Sequence, residues 1–123
     1  MARILVADDR AASRELILSM LESAGHQGDE AENGAEVLVH LEGNPPDLIL
    51  LDLHMPVMDG FEVVRQIRAR PEWSTIPVIA LTASAMLGDR ERALREGFTA
   101  YITKPVRLGE LRSEIKRLLN HVR

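Results

Sequence analysis

Five side chains of this 123-residue chain stand where an apolar run gives way to polar residues: Asp8 and Asp9, Asp52, Thr82 and Lys104. Singly they say little, since an Asp after a strand is most often a turn former or a helix cap. Together they pose an electrostatic problem. Carboxylates a few ångströms apart repel by about 1 kcal/mol per pair at 4 Å in bulk water, and by more where solvent is partly shut out. The lone Lys104 ammonium cannot neutralise three of them, so either one carboxylate stays protonated or a divalent cation binds. Oxygen-only ligands in an open, watery site select a hard ion, and magnesium is the usual one where phosphate is also bound. Such an ion, with a lysine and a hydroxyl around one free carboxylate, suits phosphoryl transfer, a chemistry of alignment and charge neutralisation. Asp52 is the candidate nucleophile, attacking phosphorus to give an acyl phosphate. Lys104 would pair with one phosphoryl oxygen and Thr82 would donate a hydrogen bond to another.

These residues converge only if the elements before them are neighbouring parallel strands. Ile4 to Ala7, Leu48 to Leu51 and Val78 to Leu81 are continuously apolar, as strands buried on both faces are. Thr99 to Thr103 reads as a short fifth strand, and the polar stretch from His26 to Ala31 is tolerable only as an edge strand. Between the strands lie helical periods. Leu16, Ile17, Met20, Leu21 and Ala24 fall on one face, with Ser13 as a cap and Gly25 as the stop. Helices are also expected near 34 to 42, 60 to 70 and 85 to 96. In the last segment Leu108, Leu111, Ile115, Leu118, Leu119 and Val122 keep helical spacing, with Arg112, Lys116 and Arg117 outward. Strict alternation with right-handed crossovers predicts an α/β, flavodoxin-like, doubly wound five-stranded parallel sheet of order 2-1-3-4-5 with five flanking helices. Its ligands bind beyond the carboxyl ends of the strands.

Composition bounds the rest. One domain over residues 1–123 is expected, and 46% apolar with 28% charged residues is ordinary for a soluble globular chain. A net charge of -4 argues against direct nucleic-acid binding. The absence of cysteine excludes a disulfide framework, a thiol nucleophile and a thiolate metal site. Neither a signal peptide nor an apolar stretch near the ~20 residues of a membrane span is visible, so a cytoplasmic location without membrane contact is expected. His26, His40, His54 and His121 are scattered and read as solvated or locally bonded rather than as zinc ligands. Met55, Met58 and Met86 read as packing residues. Arg10 could salt-bridge into the acidic site.

The motifs carry a resemblance that spans essentially the whole chain. Ile4 to Ala7 followed by Asp8-Asp9, then Leu51-Asp52-Leu53-His54-Met55-Pro56-Val57-Met58-Asp59-Gly60, Leu81-Thr82-Ala83 and Tyr101-Ile102-Thr103-Lys104-Pro105 resemble the receiver domains of bacterial response regulators. The resemblance implies a two-component or phosphorelay protein that takes a phosphoryl group on Asp52 from a histidine kinase or histidine phosphotransfer protein. It implies magnesium held directly by Asp9 and Asp52, by Asp8 largely through water, and by the backbone carbonyl of His54. A cis peptide between Lys104 and Pro105 is implied too. So is a switch in which Thr82 moves inward, Tyr101 rotates into the space, and the surface of the fourth helix, fifth strand and fifth helix changes for a downstream protein target. A phosphorylation-dependent homodimer is open. His54 and Ser84, near the path of hydrolytic water, leave the acyl phosphate lifetime open.

Three readings rival this one. A phosphatase of the haloacid dehalogenase type also uses an aspartate nucleophile and magnesium, but carries a second acid two residues on, where this chain has His54. A phosphate-independent interaction module is opposed by the intact set Asp8, Asp9, Asp52, Thr82 and Lys104. A receiver portion of a hybrid histidine kinase remains an alternative to a free-standing regulator, which the start of the chain favours. The basic outward face of Arg107, Arg112, Lys116, Arg117 and Arg123 reads as a solvated helix, or as a docking place for an acidic partner.

Overall fold

The computed structural model describes residues 2–83 and 88–122, with only the backbone at 121 and 122. Five strands, β1 (Arg3–Ala7), β2 (Gln27–Ala31), β3 (Leu48–Asp52), β4 (Val78–Thr82) and β5 (Ala100–Thr103), form one sheet of order β2-β1-β3-β4-β5. Every pairing is parallel, and Asp52 pairs with Leu81 as Thr82 pairs with Thr103, so the ends of the inner strands lie level. The helices are α1 (Ala11–Ser23), α2 (Gly34–Gly43), α3 (Gly60–Ala69), α4 (Asp89–Glu96) and α5 (Leu108–Val122).

Because successive side chains of a strand point to opposite faces, each buried strand feeds two cores. Ile4, Val6, Leu48, Leu50, Ile79 and Leu81 pack with Ile17 and Leu21 of α1 and Leu111, Ile115 and Leu118 of α5. Leu5, Ala7, Ile49, Leu51, Val78 and Ala80 pack with Val37 and Leu41 of α2, Val63, Val64 and Ile67 of α3, and Ala93 of α4. This two-sided burial is why β3 and β4 read as unbroken apolar runs. The polar β2 is indeed an edge. A Cβ at its Gly28 would stand 2.6 Å from Leu18 Cδ2, so a side chain there would push the end of Leu18 of α1 aside.

Several expectations need correction. Ser13 does not cap α1; Arg10 holds the cap position without a side-chain cap bond, and Ser13 lies inside the helix. Leu16 is 55% exposed and off the core stripe, which instead runs through Arg14, Ile17 and Leu21. Ala24 lies one residue beyond α1, at its C-cap, and Gly25 follows with a φ of 85°. The fifth strand starts at Ala100, while Thr99 uses its Oγ1 to accept the Val78 N–H at 3.0 Å. Of the fourth expected helix, residues 85–87 lie outside the described residues, as do Ser84 and Met86.

Candidate functional site

The level strand ends gather the five side chains predicted from sequence. β1 delivers Asp8 and Asp9, β3 ends on Asp52, β4 ends on Thr82, and Lys104 follows β5. Thr82 accepts the Lys104 main-chain N–H at 2.7 Å, which extends the β4–β5 ladder by one bond and fixes where the lysine departs. The peptide between Lys104 and Pro105 is cis, as the resemblance implied.

Lys104 Nζ donates to Asp8 Oδ2 at 2.8 Å and to Asp52 Oδ2 at 3.0 Å, bridging the first and third strand ends. Asp52 Oδ1 accepts the His54 N–H at 2.8 Å. Asp8 Oδ1 accepts the Arg10 N–H at 2.9 Å, and its Oδ2 also accepts the Ser13 hydroxyl at 2.6 Å. Arg10 therefore enters through its backbone, and its guanidinium forms no ion pair with the acids. One carboxylate oxygen from each of Asp8, Asp9 and Asp52 lies within 4.8 Å of the others, with Asp8 and Asp52 buried and Asp9 exposed.

Burial and hydrogen bonding divide the acids. Burial pushes the Asp52 carboxyl above its ordinary range, and the nearby Asp8 charge adds to this, against the bonds from His54 N–H and Lys104. Burial would raise Asp8 as well, but Lys104, Ser13 and the Arg10 N–H outweigh it and leave Asp8 lowered. Burial works against the charge of Lys104, yet its bonds to Asp8 and Asp52 prevail and raise it. The site thus keeps one firmly ionised acid, one acid that burial disfavours, and a fixed cation between them. A hard divalent cation fits this all-oxygen donor set.

The segment after β3 is pinned from beneath. Gly60 N–H donates to Leu53 O at 3.0 Å, and a Cβ at Gly60 would lie 2.7 Å from Asp52 O. Only a glycine lets α3 begin against the main chain of Asp52. Asp59 caps that helix by accepting the Glu62 N–H at 3.0 Å. Val57, 84% exposed, has a φ of 70°, and the bond from Met58 N–H to Pro56 O at 2.7 Å closes a γ-turn around it.

One functional contributor escaped the sequence reading. Arg14, 7% exposed, donates through Nη1 to Asp8 O at 2.8 Å and through Nε to Glu30 Oε1 at 2.7 Å. A signal was present: Arg14 stands three residues before Ile17 and seven before Leu21, on the apolar stripe, where a charge needs partners. The switch candidates stand at the end of β4 and on β5. Thr82 is fully buried, and Tyr101, half-buried and paired in register with Ala80, packs against the α2–α3–α4 core.

Comparison with known proteins agrees with this geometry. Residues 4–116 match the model of the response regulator receiver domain. The chain is 40% identical over 106 residues to Protein PilH of Pseudomonas aeruginosa, covering 86% of this chain and 88% of that one. It is 35% identical over 116 residues to the polar-differentiation response regulator DivK of Brucella anthropi, covering 94% of each. Among solved structures, the receiver domain of a sensor histidine kinase from Pseudomonas aeruginosa superposes with a TM-score of 0.90 at 34% identity, over 97% of this chain and 98% of that one. That structure holds a magnesium ion in its active-site cleft.

Proposed function

The chain belongs to the response regulator receiver domains, and from that premise we propose that Asp52 is the carboxylate on which it takes up a phosphoryl group. A receiver is a phosphoryl acceptor and switch, not an enzyme that turns over a separate substrate. Its donors are, at the level of the family, phosphohistidine-bearing kinases or phosphotransfer proteins. The observation that carries the assignment to Asp52 is its place in the acid cluster. It is 6% exposed, bonded to His54 N–H and Lys104, with oxygens of Asp8 and Asp9 within 4.8 Å.

In the reaction an Asp52 oxygen forms a bond to phosphorus as the N–P bond to the donor imidazole breaks. The bonding pair stays on the imidazole nitrogen, which takes up a proton. Asp9, Asp52 and the His54 carbonyl would hold magnesium, with Asp8 acting largely through water. The bound ion supplies charge neutralisation to the phosphoryl oxygens. Lys104, already between two carboxylates, has one further N–H to offer a phosphoryl oxygen, and Thr82 offers a hydroxyl to another. Movement of Thr82 and rotation of Tyr101 would then shift the population of the α4–β5–α5 surface toward a form that binds a downstream protein.

The receiver unit is proposed to span residues 1–123, in keeping with α5 running to Val122. Among the described residues no helix is long and apolar enough to cross a membrane, and cytoplasmic action fits that. Exposed Arg107, Arg112 and Lys116 on or beside α5 favour an acidic partner there, with no direct role for nucleic acid. The likeness to the receiver of a sensor kinase keeps a hybrid-kinase origin as the second reading.

The deciding experiment is incubation with magnesium and acetyl phosphate followed by intact mass. An adduct of ~80 Da, the mass of one phosphoryl group held on a carboxylate, that Asp52→Ala abolishes is the expected result. Its absence from the wild type sinks the reading, and multiple turnover of small phosphate esters would point to a phosphatase.

A further inference from the structure

We propose that Ser13 is a positioning residue for phosphoryl uptake: its hydroxyl holds the Asp8 carboxylate so that Lys104 can leave it for the incoming phosphoryl group. The inference builds on the reading of Asp52 as acceptor and concerns how the lysine is released.

Two donors meet on one oxygen. Asp8 Oδ2 accepts Ser13 Oγ at 2.6 Å and Lys104 Nζ at 2.8 Å, while Oδ1 is taken by the Arg10 N–H. The Asp8 side chain is 0% exposed, so, apart from water carried by a bound metal, Ser13 is the donor to Oδ2 that stays when the lysine departs. Lys104 spends one N–H on Asp8 and another on Asp52 Oδ2. A phosphoryl group built out from Asp52 draws the ammonium toward its own oxygens and away from Asp8. Were Lys104 the only protein donor to Asp8 Oδ2, that move would leave a buried carboxylate oxygen without a protein partner, which is costly. The Ser13 bond removes the penalty at the moment the lysine is needed.

The direction of the Ser13 hydroxyl supports this role. A serine inside a helix usually turns to solvent or bonds back to the carbonyl four residues earlier. Ser13 is the third residue of α1 and makes no cap bond, yet its Oγ points back to an acid five residues before it. Ser13 and Lys104 also line one cavity of about 270 Å³ with Ala12, Pro105 and Val106.

The test is the rate of the acetyl phosphate adduct, followed by intact mass at saturating magnesium across a range of phosphodonor concentrations. Ser13→Ala should lower the maximal rate about tenfold, while the phosphodonor concentration giving half that rate changes less than about twofold, because the lost bond matters as the lysine transfers. Ser13→Thr, which keeps the hydroxyl, should restore most of the rate. An unchanged maximal rate in Ser13→Ala overturns the proposal, as does a loss confined to the half-saturating concentration. Failure of Ser13→Thr to rescue, with its urea midpoint at the wild-type value, assigns Ser13 a different role and also overturns it. A wild-type protein that takes no adduct would instead remove the Asp52 reading.

Discussion

Arg14 Nη1 lies 2.8 Å from the main-chain oxygen of Asp8, so a guanidinium from inside the fold supports the turn that carries two of the three acids. The same group reaches Glu30 of the edge strand at 2.7 Å and Glu32 at 3.6 Å. Three acceptors in different directions match the planar fork of arginine and not a single ammonium. Arg14→Met should therefore cost about 2–3 kcal/mol of stability, the range for losing charged hydrogen bonds at a buried position, and Arg14→Lys should recover less than half. Urea midpoints of the two variants check this, and a midpoint for Arg14→Met equal to the wild type would refute it.

Val57 stands at the tip of the γ-turn after Asp52, a β-branched residue with a φ of 70°. Side chains rarely adopt that region, and such strain is typically worth ~1–3 kcal/mol. Glycine relieves it but gains freedom in the unfolded chain, an opposing effect of ~0.4–1 kcal/mol. At 84% exposed, Val57 loses almost no packing on truncation. Val57→Gly should stabilise the protein by roughly 0.5–1 kcal/mol on the balance of these two effects. A lower urea midpoint than the wild type contradicts this.

The sheet order and the convergence of Asp8, Asp9, Asp52, Thr82 and Lys104 were legible because two-sided burial leaves continuous apolar runs, and those runs point to the strand ends. What sequence misjudged were directions within a helix. Leu16 and Ser13 both lie on the early part of α1, and their types suggested core and cap. The chain enters the helix at Arg10 directly from the acidic turn, so Ser13 faces Asp8 and Leu16 faces solvent. Arg14 reads as surface by residue type, although its place on the stripe of Ile17 and Leu21 buries it. The γ-turn at Val57 has no signal in residue type, since valine is among the last residues expected there.

His26 should give stability a pH dependence of its own. Its Nδ1 accepts the Ala2 N–H at 3.1 Å, a bond that a protonated ring cannot keep. Burial, joined by the charge of the chain's N-terminus, lowers its pKa from the ordinary 6.5. The folded value then lies below the unfolded one, so between them the unfolded chain holds more protons. This contribution is complete above the unfolded pKa of 6.5 and is lost as pH falls toward the lower folded value. Urea midpoints between about pH 7.5 and pH 5 should therefore fall more for the wild type than for His26→Gln, in which the group does not titrate. Parallel curves would show that His26 contributes nothing.

The acid cluster makes a last prediction, about metal. Three carboxylates face one ammonium, and their repulsion is present whenever the site lacks a cation. Magnesium at ten times its dissociation constant should stabilise the fold by about 1.4 kcal/mol, the mass-action value for one site absent from the unfolded chain, and a chelator should reverse it. Asp9→Asn separates the two effects. Asp9 is the exposed acid of the three, so neutralising it leaves the buried contacts of Asp8 and Asp52 intact. Without metal this variant should be at least as stable as the wild type, because one repulsive charge is gone. With magnesium it should gain little if Asp9 is the direct ligand proposed above. Thermal midpoints with and without magnesium read both arms, and an equal magnesium shift in the two proteins would show that Asp9 holds no metal.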